Sequence, residues 1–211
     1  MAETLRPRGH GHYLVVHVHP QAPAEGRCCV LRNLHLPPVG PLFHELDAYD
    51  VVYNWMNIAN GKGYRFLGYA IMPNHAHFVI RVPEGGVINT VLANGKRFMA
   101  YELIDRLLKA DRQDLLHRLA EGLRPSDIAR GQKHRVFATS TDLVELFSGK
   151  MIEQKLRYIH ANAVSKKWSL TDDAVEYPHS SFAFYVRGEQ REAPLTAYQE
   201  YGFLDGKGAP W

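Results

Sequence analysis

The sequence predicts an α+β domain, an antiparallel central sheet with helices packed on it. Three observations carry this. Two apolar, β-branched runs flank the turn signal Pro73-Asn74, which reads as a hairpin over 64–82. Two longer stretches, 43–60 and 87–110, repeat apolar residues at intervals of three and four, the helical period. Strand-like and helix-like segments are intermixed along the chain, so sheet and helices must share one core.

Bulk properties bound the rest. At 211 residues the chain can bury one good core and does not require two. Its 45% hydrophobic and 22% charged content is that of a folded globular protein, not a disordered one. No apolar run approaches the ~20 residues needed to span a bilayer. Met1 to His12 is polar and lacks an apolar signal core, so secretion is not expected. Cys28 and Cys29 are adjacent, which fits neither a metal knuckle nor a disulfide framework, and a reducing, cytoplasmic setting is the default expectation. The net charge of +3 permits nucleic acid as a partner without arguing for it.

Taken in order, residues 1–12 read as a flexible lead-in, 13–186 as the folded domain and 187–211 as a loosely ordered tail. Tyr13 to His19 alternates like a first strand, and Cys28 to Leu34 like a second short one. A helix is expected over Phe43 to Asn60, stopped by Asn60-Gly61. After the hairpin, Val87 to Ala110 is a second long helix, with Asn94-Gly95 as its weak point and Lys96 and Arg97 on an exposed side. Its apolar stripe includes Val91, Leu92, Phe98, Leu103, Ile104, Leu107 and Leu108. A short helix fits Asp114 to Glu121. The segment from Leu123 to Arg135 is basic (Arg124, Arg130, Lys133, His134, Arg135) and reads as a solvated loop; were the partner DNA, it would serve as a backbone contact. Val136 to Phe147 returns to the sheet. Ser148 is a natural N-cap for a helix reaching about Val164, and Tyr177 to Tyr185 packs back on the domain.

Histidines open the second hairpin strand. In a strand, side chains alternate faces, so His75 and His77 project the same way and two imidazoles can converge on one divalent cation. On a helix an i, i+2 pair would point in divergent directions. Chance is the plainer source of one such pair in a chain with 12 histidines, and His17-Val18-His19 repeats the pattern in another strand-like run.

On the late helix, Ile152, Leu156, Ile159 and Ala163 form a buried stripe at 100° per residue. Met151, Lys155, Tyr158 and Asn162 form a second stripe, with Tyr158 and Asn162 one turn apart. Read alone, Tyr158 is a half-buried packing residue and Asn162 a helix cap.

These two segments resemble one family. "MPNHAHFVIRV" is similar to the His-hydrophobic-His motif of the single-tyrosine HUH transposases. "QKLRYIHANAV" is similar to their tyrosine helix, above all in the repetitive-extragenic-palindrome-associated branch, where Tyr-Ile-His-x-Asn-Pro is typical. "GKRFMAYELI" and "YPHSSFAFY" also look like family segments, so the likeness covers roughly 13–186. Ala163 replaces the usual proline and should soften the helix stop.

The resemblance implies an HUH endonuclease, ferredoxin-like arrangement. It implies that His75 and His77 hold Mg²⁺ or Mn²⁺, with Asn162 the third protein ligand through its amide oxygen. Tyr158 would attack a phosphate of single-stranded, hairpin-forming DNA and become joined to the 5′ end. An ordinary tyrosine hydroxyl, pKa about 10, is a poor nucleophile, so the cation and Lys155 would assist it. Lys155, Arg130, Lys133, Arg135, Lys96 and Arg97 are the expected DNA contacts, and the protein would act as a monomer or homodimer. Arg157 and His160 would be structural or phosphate contacts. Against it stand a histidine-triad-type nucleotide hydrolase, disfavoured because Val79 occupies the third alternating position, a domesticated hairpin-binding module without cleavage, and a metal-dependent hydrolase in which Tyr158 only packs.

Overall fold

A computed structural model describes residues 27–36, 40–138 and 142–201. Among the described residues, four strands form one sheet: β1 (Arg27–His35), β2 (Arg65–Met72), β3 (His75–Val82) and β4 (Leu143–Leu146). Their spatial order is β2-β3-β1-β4, and every neighbouring pair is antiparallel. The first crossover passes through α1 (Leu42–Glu45) and α2 (Tyr49–Gly61). The second passes through α3 (Ile88–Lys109), α4 (Gln113–Glu121) and α5 (Pro125–Ala129). This split β-α-β pattern is the ferredoxin-like arrangement. A later helix, α6 (Gly149–His160), and a short α7 (Phe182–Arg187) follow β4.

The pleat sorts side chains into two layers. Phe66, Ile71, Ala76, Phe78 and Ile80 pack against α2, α3 and α4. Leu67, Ala70, Met72 and Val79 face the opposite way, against Ile152, Leu156, Ile159 and Ala163 of α6. The predicted apolar stripes of α2 and α3 thus belong to the layer on one face of the hairpin, and that of α6 covers the other.

Several expectations need correction. The helix foreseen over 43–60 is broken at Leu46–Ala48, where Asp47 adopts φ +44°, a conformation aspartate tolerates better than most residues. The break docks α1 on the hairpin turn: Phe43 N–H donates to Pro73 O (3.0 Å), and Leu36 N–H to Asn74 O (3.1 Å). Asn94-Gly95 is no weak point, because α3 runs through it and Gly95 makes room for the Trp55 indole. Phe98 and Leu108, assigned to the apolar stripe, are exposed. The basic segment is not simply a solvated loop: buried Asp127 receives Arg124 (3.1 Å) and Arg130 (2.7 Å) and closes the turn of α5. Among the described residues of the stretch expected over 136–147, Leu143–Leu146 returns to the sheet and 136–138 do not. Helix α6 stops at His160, short of Val164 and without a proline, because Ala161 already turns into the cap.

Within the stretch after Gly188, residues 189–201 pack on the domain. It runs beside β2, with Leu195 bridging to Phe66 and Thr196 N–H donating to Phe66 O (3.0 Å). Upstream, Ser180 bridges Ala70, and Ile71 N–H donates to His179 O (2.8 Å). Residues 179–196 thus cover the edge strand, whose unpaired amides would otherwise offer a template for aggregation. The strand expected at Tyr13 to His19, with His17 and His19, lies outside the described residues.

Candidate active site

His75 and His77 leave β3 on the face that carries α6, because Val79, two residues on, packs against that helix while Ala76 and Phe78 turn away. Both rings are buried, and their Nε2 atoms lie 3.0 Å apart. The rings meet edge to face, 4.7 Å between centroids. Asn74 in the turn fixes the first ring: its Oδ1 sits 2.7 Å from His75 Nδ1. An amide oxygen only accepts, so Nδ1 carries the proton and the Nε2 lone pair faces His77. Burial of Val79 in the core leaves the third alternating position apolar, as the sequence indicated.

Tyr158 joins them from α6. Its ring centroid is 6.2 Å from that of His77, although 81 residues separate the two in the chain, and it is 60% exposed. The two rings lie nearly perpendicular, and most of the tyrosine remains open to solvent. Lys155, a turn earlier, is half-buried. Asn162 caps the helix: its Nδ2 donates to Tyr158 O (3.0 Å) and Ile159 O (3.2 Å). Those two bonds commit the NH₂ end of the amide, so its oxygen is the end that could serve a cation.

Three features seat α6. Ser148 caps its start by accepting from Met151 N–H (3.3 Å). Gly68 on β2 leaves no side chain under Leu156, so the helix lies close to the sheet. His160, buried at its end, has its Nε2 2.8 Å from Ser181 Oγ. Burial pushes the His160 pKa down to about 3, so the ring is neutral and structural. Arg157 on the exposed side pairs with Glu153.

Trp168, in the turns after α6, stands 5.4 Å from His75, and the Lys167 ammonium lies 5.4 Å from the indole. Sequence reasoning assigned no role to Trp168, Gly68 or Ser181 and read Asn74 only as a turn residue. The signal for Asn74 was its position immediately before the first histidine.

The donor set suits a divalent cation. Two imidazole nitrogens at 3.0 Å are spaced as neighbouring ligands about 2.1 Å from one octahedral ion would be. Among the described residues, no group of three or more His, Cys, Asp or Glu could hold a metal. A cation here would draw on the histidine pair and keep positions open for substrate.

The expected DNA contacts divide between the two faces. Lys155 is on the α6 face. Lys96, Arg97, Arg130, Lys133 and Arg135 line a cavity of about 730 Å³ between α3 and residues 124–138, on the far side of the sheet. Lys96 is not on an exposed side as expected: it is half-buried, Nζ donates to Ala138 O (3.1 Å), and burial pushes its pKa down. No helix among the described residues is long and apolar enough to cross a membrane.

No family model matches the chain, and no curated protein matches it. A solved structure does: that of a REP-associated tyrosine transposase bound to a REP hairpin, with a TM-score of 0.53 over 93% of this chain and 95% of that one, at 13% identity. The α+β domain that brings Tyr158 to the histidine pair thus has the fold of a REP-associated tyrosine transposase.

Proposed function

We propose that the protein is a metal-dependent, single-stranded DNA endonuclease and strand transferase acting on hairpin-forming DNA. The observation that carries this reading is the approach of the Tyr158 ring to His77, whose Nε2 converges with that of His75. The structural neighbour, a tyrosine transposase bound to a hairpin, supports the substrate class.

His75 and His77 would hold Mg²⁺ or Mn²⁺ through Nε2, with Asn162 adding its amide oxygen. Bound there, the cation would neutralise charge developing on the scissile phosphate and on the departing 3′-oxygen. Tyr158 Oη forms a bond to phosphorus while the bond from phosphorus to the 3′-oxygen breaks; the phenolic proton passes to solvent and the departing 3′-oxygen takes one up from solvent. The products are a 5′-phosphotyrosine and a free 3′-hydroxyl, and the reverse attack by a 3′-hydroxyl rejoins strands without an external energy source. The exposure of Tyr158 lets a phosphate approach, and half-buried Lys155 offers it a positive charge.

Incubation with labelled hairpin DNA and Mn²⁺ tests the proposal. The expected product is a DNA–protein adduct that survives denaturation and disappears in Tyr158→Phe. His75→Ala and His77→Ala should abolish cleavage and leave hairpin affinity largely intact. Cleavage persisting in Tyr158→Phe would make the protein a hydrolase, and binding without cleavage would make it a hairpin-binding module.

A further inference from the structure

The loop after α6 is built to fix one side chain. Ser165 Oγ donates to Asn162 O (2.7 Å), Trp168 N–H and Ser169 N–H each donate to Ser165 O (2.9 Å), and Leu170 N–H donates to Ala163 O (2.8 Å). Ser169 takes φ +43°, a left-handed conformation that a residue with a Cβ holds only where its surroundings impose it. The side chain so placed is Trp168, half-buried against the α6 layer, with its ring centroid 5.4 Å from that of His75 and the two rings inclined by 43°. On the other histidine, Tyr158 is the aromatic neighbour, 6.2 Å from His77. Each imidazole of the converging pair thus has an aromatic ring beside it. The chemistry proposed above uses the tyrosine and gives the tryptophan no part.

We propose that Trp168 is a positioning residue for the candidate cation: its indole holds the His75 ring so that Nε2 stays convergent with that of His77. A hydrogen bond at one ring atom leaves an imidazole able to pivot about it. A pivot at Nδ1, where Asn74 Oδ1 sits 2.7 Å away, swings Nε2 out of line. A rigid bicyclic ring packed beside the imidazole limits that swing, and the hydrogen-bonded loop keeps the indole in place as a stop. The indole also presents apolar surface to the site, and such a shell controls how much water reaches a bound ion. Because an indole N–H only donates, Trp168 is no ligand itself and acts through His75. Trp168 lies outside both the histidine and the tyrosine motifs, and its role rests on the cation reading of the histidine pair.

The test is a Mn²⁺ titration of the full chain without DNA, followed by calorimetry and by tryptophan emission. A bound paramagnetic ion quenches an indole close to it, and Trp55 lies in the layer on the opposite face of the sheet. Wild-type emission should fall as Mn²⁺ saturates, and the fall should vanish in Trp168→Phe. Trp168→Ala should weaken Mn²⁺ binding about tenfold or more, whereas Trp168→Phe, which keeps a flat ring in the space, should stay within about threefold of wild type. Thermal melts check that both variants are folded. Wild-type affinity in Trp168→Ala overturns the proposal, and so does calorimetric binding that leaves the emission unquenched. Equal weakening in Trp168→Phe and Trp168→Ala also overturns it, since loop packing alone would then account for the loss. Each of these results leaves the histidine pair standing as the cation site. A wild-type chain that takes up no Mn²⁺, or binding unchanged in His75→Ala with His77→Ala, removes the cation reading and the role of Trp168 with it.

Discussion

Ser181 Oγ is the meeting point of His160 and Tyr69: it lies 2.8 Å from His160 Nε2, accepts from Tyr69 N–H (2.8 Å) and donates to Tyr69 O (3.1 Å). The hydroxyl has one proton and Tyr69 O takes it, so His160 must donate through Nε2. With its pKa held near 3 by burial, His160 refuses a proton that the unfolded chain accepts near 6.5. Its contribution to stability is complete above pH 6.5 and declines as pH falls towards 3, by at most ~1.4 kcal/mol per pH unit. His179, pushed down to about 4 by burial, acts in the same direction. Urea denaturation at pH 7, 6 and 5 should show the decline, and His160→Gln should flatten it while lowering stability at pH 7 by about 1–3 kcal/mol. Parallel pH profiles for the two proteins would refute this.

Gly95 should tolerate no side chain. A Cβ there would sit 2.3 Å from Trp55 Nε1 and 2.6 Å from its Cδ1. Trp55 cannot retreat, because Phe66 and Phe78 hold it edge to face at 5.5 and 5.1 Å. Gly95→Ala should destabilise by about 1–3 kcal/mol despite the better helix propensity of alanine. Gly61→Ala is the control: nothing lies within 4 Å of its added Cβ, and a gain of up to ~1 kcal/mol is expected in thermal or chemical melts.

Gly68→Ala should act on the active site through the backbone. The new Cβ would come within 2.1 Å of Leu156 Cδ2, in a layer where Leu156 is fully buried. Leu156 is packed on all sides, so relief shifts its side chain and with it α6, taking Tyr158 away from His77. We expect lower stability and a larger proportional loss of adduct than of hairpin binding. A variant with wild-type adduct yield would show that the helix seat is not critical.

Asn74→Ala should loosen His75 without removing a ligand. The 2.7 Å bond to Nδ1 fixes both the tautomer and the ring plane, and loss of such a support typically weakens metal affinity 10–100-fold. Titration calorimetry with Mn²⁺ measures this directly. Unchanged affinity would mean that His75 is held by its other neighbours.

The hairpin and the two stripes of α6 were legible because each depends on local periodicity, which burial then enforces. That Tyr158 would approach His77 was reachable only through resemblance, since periodicity ranks neither residue above other tyrosines and histidines. What the sequence hid depends on distant partners. Gly95 reads as a helix breaker until Trp55 is seen against it, and Lys96 reads as exposed until Ala138 is found over its ammonium. Asp47 breaks a continuous helical pattern because docking α1 on the Pro73-Asn74 turn rewards the break. Trp168 carries no periodic signal at all and owes its place beside His75 to the turns that follow α6.

The segment that closes the β2 edge also supplies Ser181, the anchor for the far end of the tyrosine helix. A nascent polypeptide that has emerged only through α6 therefore holds both histidines and the tyrosine but lacks the clasp that seats one against the others. On the chemistry proposed above, competence for strand cutting should arise only once residues 179–187 have been added, so fragments ending between 162 and 178 should be inert towards DNA cleavage even with every reactive group present.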